Sequence, residues 1–307
     1  LNAGDVYIWV QTVREEPINF PQRYVATVYA NKKHKMDKFG LFDLNNKAKA
    51  LYSTLPETER DVYLFTKYLN DTFNYYEINS CNQRMHFFAQ TGVETYGFRI
   101  TTEFDDGSAY EGRAQLGNTE TGDGPRYKGR GLIHLTGRAN YELYFHHIAE
   151  NFQRYKTRYV DSAREITLER RILYIREQQN LGLEDLQATD IETILKDRAN
   201  NFHLMVSNSL FFACDAAGWY WSVGRICNYS ELNYKKLLKD YSKTLKTTYS
   251  EMLKVKDYNV NQIAEKGDNY FDLICLLVNG GFNGFEERKN NFKALKTTLK
   301  NIYTYTD

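Results

Sequence analysis

The fold is decided by residues 80–97, which read SCNQRMHFFAQTGVETYG. Ser80 followed by Gln83 has the form of a capping box, in which each side chain accepts a hydrogen bond from the backbone N–H of the other residue. Apolar and small residues then recur at steps of three and four, the period of one helix face. The stretch predicts a helix that begins at Ser80, stops near Gly97 and carries Glu94 in its last turn.

Six further stretches predict that the protein as a whole is mainly α-helical. In each of them apolar or charged residues recur at helical spacing. Thr136 has a suitable side chain to cap the first of these helices. The stretches are Tyr141–Ile148, Arg164–Glu177, Asp190–Lys196, Leu210–Trp221, Phe271–Val278 and Phe285–Ile302.

Residues 1–54 differ from the rest of the chain. They contain two runs rich in β-branched and aromatic residues, Val6–Val10 and Tyr24–Tyr29, set among Pro and Asn, and this pattern is typical of short strands. We predict a small β-containing extension here, followed by a helical domain over residues 55–307. Within that domain residues 150–200 are highly charged, which predicts a solvated helical insertion.

Composition excludes several classes of partner. The 307 residues include 40 basic and 39 acidic ones, for a net charge of +1, so no general field attracts nucleic acid. No run approaches the roughly 18 apolar residues of a membrane span, and no signal-peptide pattern is visible. Because the chain begins at Leu1, we expect an excised domain or a processed product, and the sequence does not predict a localisation.

Motifs for metals and cofactors are absent from the sequence. The histidines form no HExxH or similar ligand set, and the glycines form no phosphate-binding loop. No Gly-x-Ser-x-Gly nucleophile motif occurs. We therefore predict neither a metal nor a cofactor. Four widely spaced cysteines are expected to be buried thiols rather than one or two disulfides; they are Cys81, Cys214, Cys227 and Cys275.

Glu94 is a candidate for acid chemistry on physical grounds. The end of a helix carries the negative pole of its dipole, and Tyr96 and Phe98 add aromatic surroundings. Both effects disfavour the ionised carboxylate and are expected to raise its pKa. A carboxyl group that keeps its proton near neutral pH can act as a general acid. Cleavage of a glycosidic bond needs such a donor and, in most enzymes, a second carboxylate.

Four blocks in a fixed order carry a family pattern. They are FFAQTGVETYGFR at residues 87–99, GDGPRYKGRGLIHLTGRANY at residues 122–141, AAGWYW at residues 216–221, and VNGGFNG at residues 278–284 followed by Glu287-Arg288. Together they resemble the family 19 glycoside hydrolases, which include chitinases and phage-type endolysins. The resemblance covers roughly residues 60–300, with the first 50 residues and the insertion at 150–200 outside it.

The resemblance implies a site with two carboxylates. Glu94 stands where the family's catalytic acid follows the helix, and Val93 replaces the family's His at the preceding position. Glu103 stands where phage-type members carry the second acid, in a motif like Gly-Phe-Arg-x-x-x-Glu, and is our choice for the general base. Glu111 and Asp106 are the alternatives, and Glu111 is otherwise expected to support the site.

The resemblance also implies residues that bind the glycan. Thr136 and Asn140 match a hydroxyl and an amide that line the family's cleft, and Asn279 matches a cleft Asn. His134 stands where the family has Gln; both side chains can hydrogen-bond a sugar, but His is also titratable. Arg288 matches an Arg that braces the acidic site, where a cation would keep the base ionised.

The resemblance therefore predicts a lysozyme-like, two-lobed helical domain that hydrolyses β-1,4 bonds of an N-acetylglucosamine polymer with inversion. Peptidoglycan is the leading substrate, because the blocks look more like those of endolysins, and chitin is the second. The partner would be a cell-wall glycan outside the cell or in the periplasm, with residues 1–54 or a larger protein providing delivery. The alternatives are a glycan-binding protein on a retired hydrolase scaffold and a lytic transglycosylase.

Overall fold

A computed structural model describes residues 55–60, 62–98, 100–182, 186–227 and 249–303. These residues are mainly α-helical, as the sequence predicts. The expected β-containing extension at residues 1–54 lies outside them. The α-helices are α1 (Val62–Tyr75), α2 (Cys81–Glu94), α3 (Asp123–Arg126), α4 (Arg138–Glu150), α5 (Phe152–Tyr155), α6 (Leu168–Gln178), α7 (Ala188–Lys196), α8 (Met205–Asn208), α9 (Leu210–Trp219), α10 (Tyr249–Leu253), α11 (Val260–Glu265), α12 (Phe271–Asn279) and α13 (Phe285–Tyr303).

Shorter elements connect these helices. Strands β1 (Tyr159–Asp161) and β2 (Ile166–Thr167) form an antiparallel pair with an irregularity in β1. A π-helical segment, Tyr220–Gly224, continues α9. The 3-10 turns are Glu57–Glu59, Ser108–Tyr110, Ala114–Leu116, Ser162–Arg164, Arg198–Asn200, Phe202–Leu204 and Asp268–Tyr270.

Two predicted helix boundaries are confirmed. Both hydrogen bonds of the capping box between Ser80 and Gln83 are present at the start of α2, and Glu94 is the last residue of that helix. α12 ends at Asn279, and Gly280 follows in the left-handed conformation at a φ of 67°. Glycine adopts this conformation at no steric cost, which is why it terminates helices so often.

The start of α4 differs from the prediction. Thr136 does not cap the helix, because its hydroxyl donates to the carbonyl oxygen of His134 at 2.7 Å. α4 begins at Arg138 after Gly137, and the Oδ1 atom of Asn118 accepts a hydrogen bond from the Arg138 N–H at 2.8 Å. A side chain distant in sequence thus satisfies the first amide of this helix.

Residues 150–200 contain α5, the β1–β2 pair, α6 and α7. α6 buries one apolar stripe, and α7 buries another and packs against α4 and α6. The region therefore has a buried side in addition to its charged surface. The buried apolar residues of the two helices are Leu168, Ile172, Ile175, Ile191, Ile194 and Leu195.

The described residues divide into two compact units. The first unit contains residues 70–97, 218–227 and 249–303, and the second contains residues 55–69 and 98–217. Each unit has its own buried residues.

The first unit is organised around α2. Helices α11, α12 and α13 all pack against it. Its core is aromatic: the ring centroid of Phe87 lies 5.1 Å from that of Phe73 and 5.4 Å from that of Trp221, both in edge-on arrangements. Such pairs add to the stabilisation that burial of apolar surface gives. This packing fixes the orientation of α2 within the unit.

The second unit contains a buried acidic residue, Asp215, on the otherwise apolar α9. Its carboxylate accepts hydrogen bonds from the hydroxyls of Tyr144 at 2.7 Å and Tyr155 at 3.1 Å. Arg154 Nη2 donates to the other oxygen at 3.0 Å. Because a buried charge is tolerated only when it is paired and hydrogen-bonded, these three donors account for its position.

Within the described ranges, every helix is too short or too polar to cross a membrane. Cys214, Cys227 and Cys275 are buried, as the sequence predicts, whereas Cys81, the first residue of α2, is only partly buried.

Candidate functional site

Glu94 lies in the first unit and is held by an arginine. α2 carries it at its last position, and α13 carries Arg288. The Nη2 atom of Arg288 donates to Oε1 of Glu94 at 2.5 Å. The side chain of Arg288 is only 3% exposed and that of Glu94 is 16% exposed. The ion pair is therefore largely shielded from water.

A glutamine holds the arginine in turn. Gln90 lies one helical turn before Glu94 on α2 and is fully buried. Its Oε1 atom accepts a hydrogen bond from Nη1 of Arg288 at 2.9 Å, and its Nε2 atom donates to Sγ of Cys275 at 3.2 Å. Burial raises the pKa of the Cys275 thiol to about 12. Gln90 was not predicted as a site residue, although an amide inside a largely apolar run is a visible signal.

The arginine changes the expected electrostatics of Glu94. A guanidinium in contact with a carboxylate favours the ionised form. This contact acts against the aromatic surroundings and helix dipole that were expected to favour the protonated form. Because Arg288 donates to Oε1, the guanidinium disfavours a proton on that oxygen more than on Oε2. The pair thus favours Oε2 as the oxygen from which Glu94 donates.

Asn279 belongs to the same part of the first unit. Its Oδ1 atom lies 3.5 Å from Nη2 of Arg288, and its Nδ2 atom donates to the carbonyl oxygen of Asn283 at 3.3 Å. Val93, which replaces the family's His, faces Gly284, where a Cβ atom would stand 3.1 Å from Cγ1 of Val93. Three predicted site residues, Glu94, Asn279 and Arg288, are thus brought together. The Glu94 cluster is Glu94, Gln90, Asn279 and Arg288.

Glu103 lies in the second unit and is held by neutral donors. The backbone N–H of Gly129 donates to Oε1 at 2.6 Å, and the hydroxyl of Tyr110 donates to Oε2 at 2.9 Å. The Nζ atom of Lys128 donates to the carbonyl oxygens of Glu103 and Asp105, at 3.3 and 2.7 Å. The lysine thus braces the backbone that carries Glu103. The Glu103 cluster is Glu103, Tyr110, Lys128 and Gly129.

Gly129 has no room for a side chain. A Cβ atom there would stand 3.2 Å from the carboxyl carbon of Glu103 and 2.9 Å from Cβ of His134. Gly129 lies inside one of the four sequence blocks, but no role was predicted for it. Its function in the cluster is to let the backbone N–H approach the carboxylate closely, which only glycine permits here.

His134, Thr136 and Asn140 form one hydrogen-bonded stretch next to Gly129. His134 has a positive φ of 49°, which is uncommon for a residue with a side chain. Its carbonyl oxygen accepts from the Thr136 hydroxyl at 2.7 Å, and the Thr136 carbonyl oxygen accepts from Nδ2 of Asn140 at 2.7 Å. The structure thus brings these three predicted residues together within the second unit.

Glu111 and Asp106, the two alternatives for the base, both bind loop backbone. The Glu111 carboxylate accepts from the N–H groups of Gly122 at 2.6 Å and Gly124 at 2.7 Å, and these bonds lower its pKa. Asp106 accepts from Ser108, side chain and backbone, which lowers its pKa as well. Both carboxylates have a local structural role that accounts for their positions.

A buried carboxyl group outside both clusters was also missed. Glu59 is 3% exposed, and burial raises its pKa to about 7. It lines a cavity of about 180 Å³ in the second unit, together with Lys67 and Arg158. Its Oε2 atom accepts a hydrogen bond from the N–H of Leu210, the first residue of α9. The latter contact gives Glu59 a structural role as a helix cap.

The two predicted acids thus lie in two differently built clusters, one in each unit. No protein-family model matches the chain. A functional assignment therefore depends on the side chains of the clusters and on the four sequence blocks that contain them.

Proposed function

We propose that the chain is a glycoside hydrolase of the family 19 type, which cleaves β-1,4 bonds in a polymer containing N-acetylglucosamine. The leading substrate is peptidoglycan. The observation that carries the proposal is the way in which Glu103 is bound: its two carboxylate oxygens accept hydrogen bonds from two neutral donors, at 2.6 and 2.9 Å. The proposal includes a lysozyme-like, two-lobed architecture for residues 55–307, with the glycan bound in a cleft.

Glu94 acts as the general acid in this proposal. Its proton is favoured on Oε2, because Oε1 accepts a hydrogen bond from the Arg288 guanidinium. Transfer of this proton to the glycosidic oxygen accompanies cleavage of the bond between that oxygen and the anomeric carbon, and the bonding electron pair leaves with the oxygen. Glu94 is left as a carboxylate, and the neighbouring guanidinium stabilises this product form.

Glu103 acts as the general base. Hydrogen bonds from Tyr110 and Gly129 stabilise a carboxylate without placing a cation on it. Each carboxylate oxygen has two lone pairs, so an oxygen that already accepts one hydrogen bond can accept another from water. The water loses a proton to Glu103 while its oxygen bonds to the anomeric carbon. Attack from the face opposite the leaving group inverts the anomeric centre.

Glycan binding is assigned to the remaining predicted residues. In the second unit His134, Thr136 and Asn140 offer an imidazole, a hydroxyl and an amide within one hydrogen-bonded stretch. Asn279 offers a second amide in the first unit. Amides and hydroxyls are suited to the N-acetyl and hydroxyl groups that peptidoglycan and chitin share.

The test is incubation of the chain with purified peptidoglycan sacculi and, separately, with chitin hexamer, followed by mass spectrometry of the products. We expect fragments with new reducing ends, released faster from sacculi, and proton NMR of the first products should show the α-anomer. A higher turnover on chitin hexamer would make the chain a chitinase. A 1,6-anhydro product would instead identify a lytic transglycosylase. Absence of cleavage of either polymer would contradict the proposal.

A second candidate function is glycan binding without hydrolysis. The observation that favours it is the Glu94–Arg288 pair, which stabilises the carboxylate form of the proposed acid. Val93 and His134 also depart from the family's pattern. Sedimentation of the chain with sacculi that remain intact over many hours would support this candidate, and release of soluble fragments would exclude it.

A further inference from the structure

We propose that Tyr110 is a positioning residue that acts through Glu103. Its hydroxyl, together with the backbone N–H of Gly129, fixes the carboxylate in one orientation. The inference rests on the proposed function, because it assigns the task of the tyrosine through the role of Glu103 as base. It adds a residue that neither the sequence blocks nor their family resemblance identifies.

The contact geometry gives the carboxylate two separate points of attachment. The Tyr110 hydroxyl binds Oε2 and the Gly129 amide binds Oε1. With one donor on each oxygen, rotation of the carboxylate about its bond to the rest of the side chain would break at least one hydrogen bond. A single donor would leave that rotation much freer. The hydrogen bond from Tyr110 therefore restricts the rotation of the Glu103 carboxylate and holds it in one orientation.

Tyr110 is itself firmly placed. It ends the turn Ser108–Tyr110, and its carbonyl oxygen accepts a hydrogen bond from Nδ2 of Asn118 at 3.0 Å. The Oδ1 atom of Asn118 accepts from the first amide of α4, that of Arg138, at 2.8 Å. The guanidinium of Arg113 lies over the Tyr110 ring, 5.5 Å from its centroid. The phenol is thus connected through Asn118 to the start of a well-packed helix.

The chemistry of the phenol suits this task. Burial and the charge of Glu103 raise the pKa of Tyr110 above its ordinary value, so the hydroxyl remains a neutral hydrogen-bond donor near neutral pH. A neutral donor orients the carboxylate and stabilises its charge less than a cation would. A base must remain able to accept a proton, and a permanent cation in contact with it would oppose that step.

The decisive experiment is a double-mutant cycle of Tyr110→Phe and Glu103→Gln, measured as turnover of sacculi. Tyr110→Phe removes one hydroxyl and keeps the ring. Because misplacement of a catalytic group by about 1 Å can cost on the order of 10²-fold in rate, we expect kcat to fall by about 10- to 100-fold with KM little changed. In the Glu103→Gln background the same change should have almost no effect, since the tyrosine acts only through the carboxylate.

A matched control is Tyr141→Phe. The hydroxyl of Tyr141 donates to the Lys128 carbonyl oxygen at 3.3 Å and makes no hydrogen bond to Glu103. This change removes a phenol from the same part of the second unit. We expect kcat close to that of the unmodified chain. An equal fall for Tyr141→Phe and Tyr110→Phe would mean that loss of any phenol in this region is damaging, and would overturn the positioning role.

The remaining outcomes separate the two proposals. If Glu103→Gln is nearly inactive while Tyr110→Phe retains full kcat, or if the two effects multiply, the role of Tyr110 is wrong and the proposed function stands. If Glu103→Gln retains normal turnover of sacculi, Glu103 is not the base and the role of Tyr110 fails with it, while glycan cleavage by the chain stands. Should Tyr110→Phe not fold, Gly129→Ala tests the other attachment point, because its Cβ would stand 3.2 Å from the carboxyl carbon of Glu103. An active Gly129→Ala enzyme would contradict the proposal that two hydrogen bonds must orient the Glu103 carboxylate.

Discussion

The Glu94 cluster and the Glu103 cluster hold a carboxylate in two different ways. Glu94 is bound by a buried guanidinium, which a buried amide holds in turn. Glu103 is bound by a phenol and a backbone N–H, and the nearby lysine is turned to backbone carbonyl oxygens. A cation adds a full opposite charge that favours the ionised carboxylate, whereas neutral donors orient the carboxylate and stabilise its charge less. The two carboxylates are therefore expected to respond differently to the same substitution.

Glu94→Gln should have the largest effect. The amide can still accept from Arg288 but cannot donate a proton to the leaving oxygen, so turnover should fall by up to about 10⁴-fold. It also leaves a buried guanidinium without its counter-charge, which should lower the free energy of unfolding by roughly 3 kcal/mol. Turnover of sacculi and urea unfolding measure the two effects. A variant that retains a tenth of normal turnover would disprove the acid role.

Glu103→Gln should reduce turnover by about 10²- to 10³-fold, since loss of a general base removes that part of the rate enhancement. Its cost in stability should be smaller than that of Glu94→Gln, because the donors around Glu103 are neutral and no buried cation is left unpaired. Comparing the urea midpoints of the two variants checks this order. Equal destabilisation would mean that the two clusters do not differ as described.

Arg288→Met should move the high-pH limb of the rate profile to higher pH, because the cation that favours ionised Glu94 is lost. The free energy of unfolding should fall by roughly 3 kcal/mol, the cost of leaving a partly buried charge unpaired. Lys289→Met is the control, since it removes a charge at the next position of α13 from a more exposed side chain. An unshifted limb in Arg288→Met would show that Glu94 is not the titrating acid.

Two buried histidines, one in each unit, predict loss of stability in acid. His86 packs against Phe271 and Phe292, and burial lowers its pKa to about 3; burial and nearby guanidinium groups do the same for His203. In the unfolded chain these histidines take up protons near the ordinary histidine pKa of 6.5. The protein therefore has its full stability above that pH. Stability falls as the pH drops from there towards 3, by up to about 1.4 kcal/mol per pH unit for each histidine.

His86→Phe should make the free energy of unfolding less dependent on pH. Part of the dependence should remain, because His203 still contributes to it. Urea unfolding at pH 7 and pH 5 measures the change. His203→Phe is the matched substitution in the second unit. An identical pH slope in the parent chain and in both variants would show that these histidines are not protonated on unfolding.

Glu111→Gln should have the smallest effect on turnover. Its carboxylate accepts hydrogen bonds from the backbone N–H groups of Gly122 and Gly124 at the protein surface. The side-chain oxygen of a glutamine can accept one of these two hydrogen bonds. The assay is the same turnover measurement used for Glu103→Gln. A loss at position 111 that exceeds the loss at position 103 would transfer the role of base to Glu111.

Local signals in the sequence predicted helix boundaries well. The capping box at Ser80 and the glycine after Asn279 are short-range features, and both boundaries are confirmed. The predicted start of α4 was wrong, because the side chain that accepts from the first amide of this helix belongs to Asn118, which is distant in sequence. Helical periodicity identifies which face is buried but cannot reveal such partners.

Site residues were predictable only where they belong to a block. Tyr110 looked like one aromatic residue in a polar loop, and nothing in its neighbours indicates that its hydroxyl meets Glu103. Gln90 and Asp215 carried a signal that could have been used, because a polar residue in an apolar helix is usually there for a partner. Which partner it meets depends on tertiary packing and could not be predicted from spacing.

The contact between Glu94 and Arg288 joins residues 194 positions apart, whereas the contacts to Glu103 span 7 and 26 positions. Contacts between distant positions close long loops, so they form late in folding. During translation the surroundings of Glu103 can be complete before α13 has left the ribosome. A nascent chain therefore has its proposed base in place before its proposed acid has a partner, and α13, which is synthesised after the other described helices, completes the acid's environment.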